Sequence, residues 1–130
     1  MSDGTQVEGI TQVAMTVNDV PASVAFYRDG LGLPQLPIPA GPTMAFFMMG
    51  PVRLMLSQPE GGFSPGGGTI VYLTVGRIKE AVAAMKSRGV TFIRDEHMIA
   101  KLPDREVWLA ELKDPSGNTL ALMSEVRFEV

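Results

Sequence analysis

An α+β domain built from two copies of a βαβββ unit is the fold class this chain predicts. Three observations carry that reading. The first is an internal repeat: residues 12–17, with a helical stretch through Arg28, recur 58 residues later as residues 70–75, with a helical stretch through Lys86. Val13/Val71, Thr16/Thr74, Val17/Val75, Val24/Val82 and Ala25/Ala83 are identical at that offset, and Met15/Leu73, Val20/Ile78 and Arg28/Lys86 are conservative. An offset held through a strand and a helix marks two copies of one supersecondary unit. The second is that each copy continues into further strand-like runs separated by turn residues. The third is size: 130 residues, 45% hydrophobic and 19% charged, suit one domain with a real core. Two such copies can frame a shared cleft, the usual place for a ligand.

Residues 10–17 alternate as a strand does, with Val13, Met15 and Val17 on one face and Gln12, Ala14 and Thr16 on the other. Asn18 or Asp19 can cap the helix that follows, and Pro21 suits its first turn. Val20, Val24, Tyr27 and Leu31 form its apolar stripe; Gly30, Gly32 and Pro34 end it. Four prolines over residues 33–42 predict an edge strand or irregular loop. Residues 43–49 are nearly continuous apolar sequence, which predicts a strand buried on both faces, and residues 52–57 return as its partner after Gly50-Pro51. Residues 58–68, with five glycines and two prolines, predict a flexible connector. The glycine run 66–68 lacks the lysine and helix of a phosphate loop. Module 1 then spans about residues 9–58 and module 2 about 69–126, within a single domain over residues 1–130. In module 2 the pattern predicts a strand (69–75), a helix (77–88) buried through Ile78, Val82 and Met85, and strands over 90–97, 106–113 and 118–126. Residues 114–117 fit a four-residue turn, which would set Ala110 opposite Ala121 and Trp108 opposite Met123. A slip of one residue would invert every face in that hairpin.

A net charge of -3 with scattered basic residues gives no electrostatic footprint for nucleic acid or anionic membrane. With no cysteine, disulfides, thiolate metal sites and cysteine nucleophiles are excluded. Residues 1–9 lack a signal-peptide pattern, and no apolar run reaches the roughly 20 residues that cross a bilayer. The expected location is the cytoplasm.

The opening Q-V-A-M-T-V-N-D-V-x-x-S-V-A-F-Y-R-D-G-L-G-L (residues 12–33) and the closing D-P-S-G-N-T-L-A-L (residues 114–122), on a doubled βαβββ pattern, resemble the vicinal oxygen chelate superfamily. That group includes glyoxalases, bleomycin-resistance proteins and extradiol dioxygenases. The resemblance covers about residues 9–126. It implies two modules paired edge to edge in a curved mixed sheet that forms a cup, commonly completed in a homodimer. It also implies metal ligands on the first and last strand of each module, which fall here on Gln12, Met55, Ile70 and Ala121. Only Gln12 offers an oxygen; Met55 is a soft thioether, and Ile70 and Ala121 offer nothing to a divalent cation. A chain with one histidine also lacks the two-histidine, one-carboxylate face of extradiol oxygenases. The expectation is therefore no metal and no cofactor.

The cup would be lined by Gln12, Ala14, Thr16, Arg53, Met55, Ser57, Ile70, Tyr72, Thr74, Ala121 and Met123, joined by Trp108 under the four-residue-turn register. Of these, Gln12, Arg53, Met55, Ile70, Tyr72, Trp108, Ala121 and Met123 are the candidate ligand contacts. Tyr72 and Trp108 can stack on a flat ligand, and methionines adapt to its shape. Apolar patterning alone does not separate such a pocket from a filled core. Arg53 suits a carboxylate or phosphate, or simply snorkels at the rim. Gln12 needs hydrogen-bond partners, from a ligand or a neighbour. His97, near the end of the predicted strand 90–97, is the natural proton-transfer candidate, although lone histidines more often serve structure. Glu111 is expected to face away from the cup. Two functions follow. One is a metal-free binder of an apolar or aromatic small molecule. The other is an enzyme, lyase, isomerase or dioxygenase-like, using His97 or a non-standard metal site. Nor does the sequence choose between a module-swapped dimer and a closed monomer.

Overall fold

The computed structural model describes residues 4–5, 8–59, 61 and 69–128. Its elements run β1 (Gln12–Thr16), α1 (Val20–Val24) with a π-helical continuation (Ala25–Gly30), β2 (Gln35–Leu36), β3 (Met44–Met49) and β4 (Val52–Ser57). There follow β5 (Val71–Thr74), α2 (Ile78–Ser87), β6 (Phe92–Lys101), β7 (Arg105–Lys113) and β8 (Thr119–Arg127). Each module is βαβββ, and the two sheets have matching orders, β1-β4-β3-β2 and β5-β8-β7-β6. In both, the first strand lies parallel to the last, as a strand–helix–strand crossover requires, and the remaining pairs are antiparallel. Most of the predicted connector, at residues 60 and 62–68 with its glycine run, lies outside the described residues, as do residues 1–3, 6 and 7.

Asp19 is the cap of α1: its Oδ1 accepts from Ala22 N at 3.0 Å, with proline in the first turn. The helix does not stay regular. Leu31 N donates to Phe26 O, a five-residue step, and this widened turn carries Tyr27 into the core with Val20 and Leu31. On α2 the stripe Ile78, Val82 and Met85 is buried. Both helices and both sheets feed one apolar cluster that includes Phe47, Leu54, Leu56, Leu112, Leu120 and Leu122. Every sheet therefore has a core face under its helix and an opposite face, called here the concave face.

Three expectations need correction. β3 is not buried on both faces: Ala45 and Phe47 are buried, while Met44, Phe46 and Met48 are half-buried on the other side. β6 continues to Lys101 with register irregularities, so His97 sits inside a strand and not at its end. The β7–β8 hairpin closes on Lys113↔Thr119, which sets Trp108 opposite Ser124, Ala110 opposite Leu122 and Glu111 opposite Ala121. That is a one-residue slip from the four-residue-turn register. It moves Trp108 to the helix side, with Lys79 Nζ 5.0 Å from its ring centroid, and brings Glu111 to the concave face.

The cause lies in the turn itself. Asp114 Oδ1 accepts from Ser116 N at 2.9 Å and Asn118 N at 2.8 Å; its Oδ2 accepts from Asn118 Nδ2 at 2.9 Å and Tyr27 Oη at 2.8 Å. Asn118 is thus bound into the turn and cannot begin the strand. The same turn reaches module 1. Asn118 Nδ2 donates to Thr16 O at 2.9 Å, and Ser116 Oγ accepts from Asn18 N and donates to Asn18 Oδ1, both at 2.9 Å. Arg88 Nε also donates to Gly30 O at 3.0 Å, and a Cβ on Gly30 would meet Val90 Cγ2 at 2.9 Å, so a larger residue there must displace Val90.

Two predictions follow from this joint and this register. Burial first, then the neighbouring Asp114 carboxylate and its hydrogen bond, push the Tyr27 hydroxyl far above its ordinary value of 10.0. Above that pH the unfolded chain releases the Tyr27 proton while the folded chain keeps it. Stability is therefore complete below pH 10 and falls above it by about 1.4 kcal/mol per pH unit from this group. Tyr27→Phe should cost about 1–3 kcal/mol at neutral pH and flatten the alkaline slope relative to wild type, read by urea denaturation at several pH values. Secondly, in this cysteine-free chain, Glu111→Cys should react with a thiol reagent in the folded state, whereas Ala110→Cys should stay protected. The reverse pattern would restore the other register.

Candidate functional site

On the concave face of module 1, β1 and β4 pair Gln12 with Arg53 and Ala14 with Met55, while β3 sets Met48 beside Arg53 and Phe46 beside Met55. These side chains share a face because directly opposed residues do. Leu54 and Leu56, pointing the other way, are fully buried and anchor the strand. Arg53 Nε donates to Gln12 Oε1 at 2.6 Å, and Gln12 Nε2 approaches Met55 Sδ at 3.8 Å. Gln12 is exposed, not buried as the sequence suggested, and its amide is partnered within the protein: its oxygen accepts from the guanidinium and its nitrogen makes the weaker contact with the thioether.

Module 2 presents a second set. Tyr72 lies beside Ala121 and Thr74 beside Met123, with Tyr72 53% exposed and Ala121 2% exposed. Across β8, Ala121 faces Glu111 and Met123 faces Leu109; across β7, Glu111 faces Arg94 and Leu109 faces His97. Ile70 immediately precedes β5 and is exposed. His97 is half-buried, and its Nδ1 lies 2.9 Å from Asp95 O. So Gln12, Arg53 and Met55 come together on one module, and Tyr72, Ala121 and Met123 on the other. His97 joins the second face; Trp108 does not. The sequence reading missed Phe46, Met48, Glu111 and Leu109. No sequence signal separates the first two, since residues 44–48 are apolar throughout, and the other two follow from the Asn118 bonds that only the structure shows.

A divalent cation does not fit the four positions that the family resemblance nominates. Two are hydrocarbon, one is a thioether, and the single oxygen already accepts from Arg53. A guanidinium one bond away adds repulsion, on the order of 4 kcal/mol per unit charge at 4 Å and a surface-like dielectric. Among the described residues, no cluster of three or more His, Asp or Glu side chains is placed to hold a metal elsewhere.

A separate cavity of about 590 Å³ lies where the modules meet, along β5. It is lined by Ile10, Val13, Leu33, Met49, Gly50, Pro51, Val52 and residues 71–74 of β5, so Tyr72 alone among the nominated contacts reaches it. The repeat explains its position. Thr16 at the end of β1 is bonded by the long turn 114–118, whereas its counterpart Thr74 and the two-residue turn Gly50-Pro51 both line the cavity.

Comparison with known proteins agrees with this architecture. A family model described as the Glyoxalase/Bleomycin resistance protein/Dioxygenase superfamily matches residues 9–122. No curated protein matches the chain. Among solved structures, a glyoxalase family protein from Bacillus anthracis is similar, with 22% identity, a TM-score of 0.75, and coverage of 93% of this chain and 98% of that one. Lactoylglutathione lyase from Agrobacterium tumefaciens shares 20% identity over 91% of this chain and 94% of its own, with a TM-score of 0.69. A glyoxalase/bleomycin resistance protein/dioxygenase from Nocardioides shares 22% over 95% and 87%, at 0.70. At these identities the structural likeness speaks for the fold alone. With the family model spanning nearly the whole repeat, the chain belongs to the glyoxalase/bleomycin resistance protein/dioxygenase superfamily.

Proposed function

We propose that this protein is a small-molecule-binding member of its superfamily that works without a divalent cation and takes an apolar or aromatic ligand on its concave face. The observation that carries this reading is the Arg53–Gln12–Met55 constellation, which puts a pinned guanidinium and a thioether where a cation would need oxygens and imidazoles. Phe46 and Met48 supply adaptable and stacking surface beside it, and Tyr72 and Met123 supply the same on module 2. A cytoplasmic homodimer is the form proposed. The exposed apolar side chains Ile93, Met98 and Ile99 on the edge strand β6, with Val126 and Phe128 at the chain's far end, support self-association.

A second reading, acid–base catalysis by a lyase- or isomerase-like enzyme, rests on one observation. The register puts His97 and Glu111 on the same face, separated by Leu109, so two titratable groups border the space beside Tyr72 and Ala121.

Two measurements decide between these. Elemental analysis of protein purified without chelator should find no stoichiometric divalent metal after dialysis; a retained equivalent would overturn the first reading. A thermal-shift screen of aromatic and aliphatic compounds should give hits that raise the melting temperature by mass action, with Met55→Ala weakening them. Should turnover be found, His97→Ala should abolish it on the second reading, and unchanged turnover would remove His97 from the chemistry.

A further inference from the structure

We propose that the concave face of module 1 is a carboxylate site, with Arg53 as the anchor and an apolar or aromatic acid as the ligand class. The inference rests on the binding reading above and names its ligand chemistry. Its first support is the charge inventory. Arg28, Arg77, Arg105 and Arg127 each pair with a carboxylate, Arg88 caps Gly30 O, and Arg94, which makes no ion pair with described residues, is exposed to water opposite Glu111. Arg53 makes no ion pair with any described residue, although it is half-buried and lies among Gln12, Met48, Met55 and Phe46. Its bond to Gln12 is solvent-exposed, so the guanidinium is open to an anion from outside.

Geometry narrows the anion. The bond from Arg53 Nε to Gln12 Oε1 uses one edge of the fork and fixes its plane. The Nη1 and Nη2 donors make no hydrogen bond with described residues, so the distal edge remains for a two-oxygen acceptor. Neither strand beside Arg53 sets a second cation opposite it: its partners are an amide on β1 and a thioether on β3. A single positive charge balances a monoanionic carboxylate and leaves a phosphate dianion half-compensated. Phe46, Met48 and Met55 then offer the apolar surface on which the body of the acid lies.

The test is calorimetric titration of the full chain with 2-naphthoate and dodecanoate, their primary amides, and phenyl phosphate, repeated on Arg53→Met and Arg53→Lys with melting curves as folding controls. Support would be acids binding at least tenfold more tightly than their amides, Arg53→Met erasing that preference, and Arg53→Lys, which keeps the charge without the fork, losing threefold or more. Amides that match the acids, or a preference that survives in Arg53→Met, would overturn the anchor while leaving the concave-face reading in place. If Arg53→Met does not fold, Arg53→Lys decides alone, and affinity equal to wild type would overturn the fork. Phenyl phosphate binding tenfold more tightly than either acid would overturn the carboxylate assignment. Silence from every compound, amides included, would overturn both readings.

Discussion

The structure depends on one buried carboxylate. Asp114 is 4% exposed and accepts four hydrogen bonds, three from its own turn and one from Tyr27 of the other module. Each of those donors would otherwise be hidden from water, and an unpaired buried donor costs about 1–3 kcal/mol. The carboxylate therefore does two things with one set of bonds: it closes the β7–β8 hairpin at a fixed register, and it ties that hairpin to the helix of module 1. Side-chain orientation on the concave face is a consequence of the first; the seam between modules is a consequence of the second.

The repeat makes the value of this joint visible, because only half of it was kept. Tyr27 corresponds to Met85 and Thr16 to Thr74 at the shared offset, while the five-residue turn 114–118 corresponds to Gly50-Pro51. On one side of the pseudo-symmetric seam the contact is polar, dense and directional. Across the seam it is apolar and incompletely filled, and a cavity of about 590 Å³ remains. The two equivalent places thus differ in kind: one is a hydrogen-bonded joint and the other leaves room.

Much of the fold was legible because its signals are local and redundant. The repeat, the Asp19 cap, the helix stripes and the Gly50-Pro51 reversal each pointed to the same architecture, and agreement between levels is what specifies a fold. The faces of the last hairpin were not legible in the same way. Residues 114–117 satisfy the rules of a four-residue turn, and nothing in the spacing says that Asn118 is also held by Asp114 through both its backbone and its side chain. One residue added to the turn exchanges Trp108 for Glu111. β3 shows the opposite failure: an unbroken apolar run hid an alternation in which Phe46 and Met48 face away from the core. His97 was misplaced because a long irregular edge strand has no sequence punctuation where the reading expected a loop.

On the concave face of module 1 the charged group beside the positions that the family resemblance nominates for a cation is a guanidinium. A guanidinium differs from a metal ion in three physical respects: it carries a single charge, its donors lie in one plane, and it cannot polarise a carbonyl as a Lewis acid. The bond to Gln12 Oε1 engages one edge of that plane. Such a centre can orient an oxyanion strongly while doing little to lower the barrier of a proton abstraction beside it. Any chemistry on this scaffold would therefore need its own acid and base. The face that could supply them, with His97 and Glu111, belongs to the other module. The guanidinium lies on one module and the titratable groups on its neighbour, and the Asp114 joint is what holds the two halves to a common geometry.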